Sequence, residues 1–157
     1  MKRSRQIIAI LLLVVTIVSI VSVPAYASTD DNDFYNFTLT TTRRFLNPQQ
    51  KDNASPCYVY VHTAQSNTTL YVAAHGSNSA MQSGITTNCT LDANGATAVK
   101  VTILPKKQYI IRSLVNERGF PYAALGFSVP AAYPNTISGQ WSPDSSTWAQ
   151  NNCMTAT

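Results

Sequence analysis

Apolar side chains in this chain recur at every second position, with no sustained helical spacing. Within Tyr122–Val129, Ala123, Leu125, Phe127 and Val129 share one face, and Tyr122, Ala124, Gly126 and Ser128 share the other. That period of two marks a strand buried on one side. Pro56–Thr63 repeats it, with Cys57, Val59 and Val61 opposing Tyr58, Tyr60 and His62. So does Leu70–His75, where Leu70, Val72 and Ala74 alternate with Tyr71, Ala73 and His75. The runs Phe34–Thr42, Ala98–Leu104 (Val99, Val101 and Ile103 inward), Tyr109–Val115 and Ile137–Ser142 complete the set.

Breakers separate the runs. Asn116-Glu117-Arg118-Gly119 is a polar turn whose glycine can take positive φ, and Pro130–Asn135 contains two prolines, which cannot donate to a central ladder. The short Gln65-Ser66-Asn67 segment predicts an antiparallel hairpin between Pro56–Thr63 and Leu70–His75. Gly76–Ala96 reads as a long irregular stretch, and Pro143–Thr157 as polar apart from Trp148, Cys153 and Met154. About seven strands at this spacing predict an all-β fold, an antiparallel β-sandwich, with an open barrel as the alternative.

The N-terminus has a different character. Lys2-Arg3-Ser4-Arg5 precedes an apolar run from Ile7 to Val23, and Ala25-Tyr26-Ala27 has the small residues of a signal-peptidase site. This predicts a signal peptide over residues 1–27, a single β-sandwich domain over 28–145 and a polar tail over 146–157. The expected destination is outside the cell, with no membrane span left after cleavage. Cleavage also changes the charge balance: removing Lys2, Arg3 and Arg5 from the net +4 leaves 8 basic and 7 acidic residues, or +1. A domain so close to neutral has no general attraction for nucleic acid, which is not expected as a partner.

The candidate chemistry is sparse. His62, His75, Tyr58, Tyr60 and Tyr71 would share one face of the expected hairpin, forming an aromatic platform able to stack on sugar rings. The same residues also suit ordinary cross-strand packing. Two histidines without a third ligand do not make a metal site, so no metal or cofactor is expected. The scattered carboxylates Asp92, Glu117 and Asp144 form no positioned pair; Glu117 beside Arg118 suits a turn ion pair, and Asp144 a turn cap. No catalytic residues are expected, and the protein reads as a binder rather than an enzyme. Cys57, Cys89 and Cys153 in an exported chain allow one internal bridge. Cys57–Cys89 is favoured because it would tie down the Gly76–Ala96 stretch, leaving Cys153 able to join two copies.

Asp33-Phe-Tyr-Asn-Phe37, the strand PCYVYV, Val115-Asn-Glu-Arg-Gly-Phe120 and Ser138-Gly-Gln-Trp-Ser-Pro-Asp-Ser145 together resemble an uncharacterised family of small secreted proteins of Gram-positive bacteria, carried as a domain of unknown function. Such proteins are loosely similar to lactococcin-like bacteriocins. The resemblance implies a secreted, bacteriocin-like or envelope-interacting protein. A carbohydrate- or cell-wall-binding surface module is the alternative, and a secreted hydrolase a remote one. The expected partner is a cell-envelope component or a glycan. The family supplies no catalytic residues.

Overall fold

The alternating runs become strands of two facing sheets. The computed structural model describes residues 32–130 and 135–157 and contains, in chain order, β1 (Asn32–Leu39), β2 (Arg44–Phe45), β3 (Gln49–Gln50), β4 (Cys57–Ala64), β5 (Leu70–Ser77), β6 (Ile85–Asn88), β7 (Val101–Ile103), β8 (Gln108–Ile111), β9 (Tyr122–Ser128), β10 (Asn135–Ser142), helix α1 (Thr147–Asn152) and β11 (Met154–Thr155). Each of the seven expected runs supplies one strand. Four short strands (β2, β3, β6 and β11) are added, of two to four residues each and too short to show a period. The signal peptide expected over residues 1–27 and the core of the Pro130–Asn135 loop lie outside the described residues.

Sheet A runs β1-β10-β4-β8-β11, and sheet B runs β2-β9-β5-β6, with β3 also on β9 and β7 also on β5. The β-sandwich is therefore the observed architecture, with one sheet curling into a half-barrel. Val59, Val61, Ile111, Ile137 and Trp141 of sheet A face Leu70, Val72, Leu125 and Phe127 of sheet B, all of them at most 2% exposed. Each such side chain contributes about 1.5–3 kcal/mol by leaving water. The β7 strand starts later than expected, so Val99 is not inward but 73% exposed.

The expected hairpin does not form. β4 pairs with β10 and β8 in sheet A, whereas β5 pairs with β9, β6 and β7 in sheet B. The connection between them is an arch. Gln65 N donates to Thr136 O (3.0 Å), and the Asn135 amide bonds Ser66 and Thr68. Both strands carry a wholly apolar row, and two such rows are buried as well by facing one another as by lying side by side. Alternation fixes which face is buried but not which strand adjoins which. The turn after β8 behaves the same way. Gly119 has φ +75 and closes a turn through Gly119 N to Asn116 O (2.8 Å), but the chain then passes from sheet A into sheet B.

The last residues do more than trail as a polar tail. Ser146 caps α1 by accepting from Ala149 N (3.2 Å), and the chain then adds β11 in parallel to β8. Ala156 N donates to Ile110 O (3.1 Å) and Thr102 N to Thr157 O (2.5 Å), so the otherwise open edge of β8 is covered. No helix among the described residues is long and apolar enough to cross a membrane.

Candidate functional site

Splitting β4 from β5 divides the expected aromatic platform. Tyr58, Tyr60 and His62 stand on the outer face of sheet A, and Tyr71 and His75 on the outer face of sheet B. Tyr58 is only 8% exposed, set in the ladder between Ile110 and Ser142, near the end of the sheet where α1 packs on β8. Tyr71 lies under the Lys100 ammonium, 3.3 Å from its ring centroid. His75 is buried beneath Arg43 and Phe45. Phe45 meets it edge-on at 4.8 Å, and its Nε2 accepts from an Arg43 N–H (3.0 Å), which leaves Nδ1 enclosed without a partner. Burial, reinforced by the Arg43 charge, lowers its pKa to about 4, so it is neutral near pH 7. His75 is a packing residue, not part of an open platform.

What remains open on sheet A is a patch assembled from three strands. Tyr60 and His62 lie in contact, ring centroids 4.3 Å apart. Gln140 of β10 is the direct neighbour of Tyr60 and, on its other side, of Asp33 in β1. The 72%-exposed Tyr35 donates its hydroxyl to Asp33 Oδ2 (2.7 Å). That bond, a second from Gln140 and the proximity of His62 hold the Asp33 carboxyl below its usual range, and the same bond raises the Tyr35 hydroxyl. A β-bulge between Phe34 and Phe37 makes this cluster possible. Asn36 sits at φ 48, a left-handed conformation that asparagine tolerates, and its N–H is bonded to Ser138 Oγ (3.0 Å). The bulge turns both Phe34 and Phe37 toward the core. Beside Asp33 opens a shallow cavity of about 280 Å³, whose polar lining is Asn32, Asp33, Asn47 and Gln49.

Sequence reasoning named Tyr60 and His62 for a binding face but gave Asp33, Tyr35 and Gln140 no part in it. Their union depends on the β1–β10–β4 register, which the sequence does not display. The Asp-x-Tyr alternation was its one visible trace.

A second polar cluster is structural. Lys51 Nζ donates to Asp144 Oδ1 (2.6 Å), Pro143 O (2.8 Å) and Ser55 O (2.5 Å), with side-chain exposures of 1% for Lys51 and 0% for Asp144. Asp144 also accepts from Asp52 N (2.9 Å) and Ser55 Oγ (3.2 Å). Asp144 therefore anchors the 51–55 loop rather than capping its own turn. The expected Glu117–Arg118 pair is likewise replaced, since Arg118 Nη1 donates to Asn88 O (3.0 Å).

The cysteines are free thiols. Cys57 and Cys89 are both buried, but the expected bridge between them is not formed: Cys89 Sγ is directed at Thr87 O (3.5 Å). Burial raises the Cys57 thiol pKa, opposed by the nearby Lys51 charge, which favours the thiolate. Burial also raises Cys153. No group of three metal-ligating side chains occurs among the described residues.

Fold and site together define a small β-sandwich protein with one open, polar and aromatic sheet face. The chain belongs to the DUF2712 family of proteins of unknown function, whose model matches residues 22–145. No curated protein and no solved structure matches it.

Proposed function

We propose that this is an exported, non-catalytic protein that acts at the bacterial envelope by binding glycan on the outer face of sheet A. The observation carrying this reading is the union of the exposed Asp33 and Tyr35 with the half-buried Tyr60 and Gln140 on the outer face of sheet A, with His62 packed against Tyr60. Sugar recognition needs flat rings for the apolar faces of pyranoses and fixed acceptors and donors for their hydroxyls. Tyr35 and Tyr60 supply the rings, the Asp33 carboxylate accepts, and the Gln140 amide does both. Export rests on the Lys2–Ala27 pattern, and a Gram-positive source on the family resemblance.

The test is binding of the protein to isolated cell walls and intact cells of Gram-positive bacteria, scored with growth. Saturable binding is expected, and each of Tyr35→Ala and Tyr60→Ala should weaken it by about fivefold, the value of roughly 1 kcal/mol per stacked ring. Binding unaltered in the double variant would remove the glycan face from consideration. A bacteriocin-like role against neighbouring cells is the second reading, favoured by the leader pattern; growth arrest alongside binding supports it.

A further inference from the structure

A pocket at the opposite end of β4 from His62 has the chemistry of a ligand site. It encloses about 220 Å³ between Ala54, Pro56, Leu91, Arg112, Ser113 and Glu117. It is built where the segment after β8 meets the segment after β6: Leu91 N donates to Arg112 O (2.8 Å), and Thr90 bridges Ser113. Ser113, a lining residue only 7% exposed, has its hydroxyl beside the buried Cys57 thiol. Two features distinguish the pocket from an ordinary crevice. Arg112 donates through Nη1 to Ala93 O (2.9 Å), which fixes the guanidinium while leaving most of its fork unused. Glu117 lines the same space with no ion-pair partner among the described residues, because the one pair within 4.0 Å there is Lys51–Asp144 and its neighbour Arg118 is turned to Asn88 O.

A cation and an anion therefore face one small cavity without closing on each other. A simple anion would meet repulsion from Glu117, and a simple cation repulsion from Arg112. A molecule carrying both charges satisfies both walls. The volume lies below the roughly 300–1,000 Å³ of drug-sized sites, which limits the occupant to something compact. We propose that this pocket binds a small zwitterion of the α-amino-acid class. Arg112 holds its carboxylate and Glu117 its ammonium, while Ala54, Pro56 and Leu91 contact a short side chain. The site is separate from the sheet A face, so it can be present whether or not that face binds glycan.

The test is a titration of the purified protein with glycine and alanine, followed by amide NMR shifts and calorimetry. N-acetylglycine (no ammonium), glycinamide (no carboxylate) and inorganic phosphate serve as probes of each charge. Saturable shifts around Leu91, Ser113 and Glu117 are expected with glycine and alanine. Affinity should fall by about ten- to a hundredfold for each blocked form and for Glu117→Gln, as for loss of one charge-assisted contact. Glu117 is exposed and partnerless, so Glu117→Gln should leave the rest of the spectrum unchanged. Failure of glycine and alanine to produce saturable shifts would overturn the proposal. So would equal binding of N-acetylglycine or phosphate, which would mark an anion site of Arg112 alone.

Discussion

Replacing Asp144 by asparagine isolates the charge of the buried Lys51–Asp144 pair while keeping its shape. In the native protein all three protons of the Lys51 ammonium have acceptors, at 2.6, 2.8 and 2.5 Å. Asp144 uses one oxygen for Lys51 and Ser55 and the other for Asp52 N. An asparagine amide has one oxygen and one NH2, so in either orientation a donor faces a donor, at Lys51 or at Asp52. The lysine also loses its counter-charge where water cannot replace it. Breaking such a pair from one side costs about 3–5 kcal/mol. For a domain of this size, about 3–5 °C of Tm per kcal/mol translates this into a fall of roughly 10–25 °C. The assay is denaturant and thermal unfolding of wild type, Asp144→Asn, Lys51→Met and the double variant. The double variant should be less damaged than the sum of the singles by about 2 kcal/mol or more, because it leaves no orphaned charge. An Asp144→Asn cost under about 1 kcal/mol, or strict additivity of the two changes, would refute this account.

Two further outcomes follow from packing and titration. A Cβ at Gly139 would overlap the Tyr60 carbonyl oxygen and lie 2.9 Å from Val61 Cα. Both are backbone atoms of the adjoining strand, so Gly139→Ala should cost about 3 kcal/mol, at or beyond the upper end of overpacking, with the ladder between β10 and β4 losing amide protection in hydrogen exchange; a cost below about 1 kcal/mol contradicts the geometry. His75 has its folded pKa lowered from 6.5 to about 4, so the unfolded chain takes up the proton first as pH falls. Its contribution is present above pH 6.5 and lost between pH 6.5 and 4, amounting to about 1–2 kcal/mol once solvent screening is allowed for. Denaturation midpoints measured across that window should fall in wild type and flatten in His75→Gln; identical pH profiles would refute it.

Faces were legible in the sequence, and neighbours were not. The rows Cys57–Val59–Val61, Leu70–Val72–Ala74 and Ala123–Leu125–Phe127 are buried as their alternation requires, because a residue's side of a strand depends only on its position within the run. Which strands adjoin depends on long-range pairing, where a hairpin and an arch bury the same residues. That ambiguity misplaced Tyr71 and His75 onto the face of Tyr60, and it hid Asp33 and Gln140, which lie 107 residues apart in sequence yet adjoin in the ladder (140 − 33). Lys51 reads as a solvated loop lysine because no local pattern signals burial of a charge whose partner is 93 positions away. The capping of α1 by Ser146 is local, but six residues give too little periodicity to stand out from a polar segment.

The most distinctive stretch of the chain, Ser138–Ser145, is accounted for by architecture. Gly139 admits the Tyr60 carbonyl, Trp141 is among the largest fully buried side chains, and the Ser142 hydroxyl bonds Asp144 O (2.7 Å). Pro143 O and the Asp144 carboxylate receive Lys51, and Ser145 N donates to Ser55 Oγ (3.1 Å). Six of these eight residues thus close the sandwich at one end and fasten the 51–55 loop. Only Ser138 and Gln140, whose side chains point the other way along the same strand, reach the open face. A strand buried on one side is thereby divided between two tasks by its pleat: the inward row holds the fold, and the outward row is left for recognition. Substitutions at Gly139, Trp141 or Asp144 should therefore remove binding only together with stability, whereas Gln140→Ala should weaken wall binding with the unfolding midpoint unchanged. A Gln140→Ala protein that unfolds early, or that binds walls as tightly as wild type, would place recognition elsewhere.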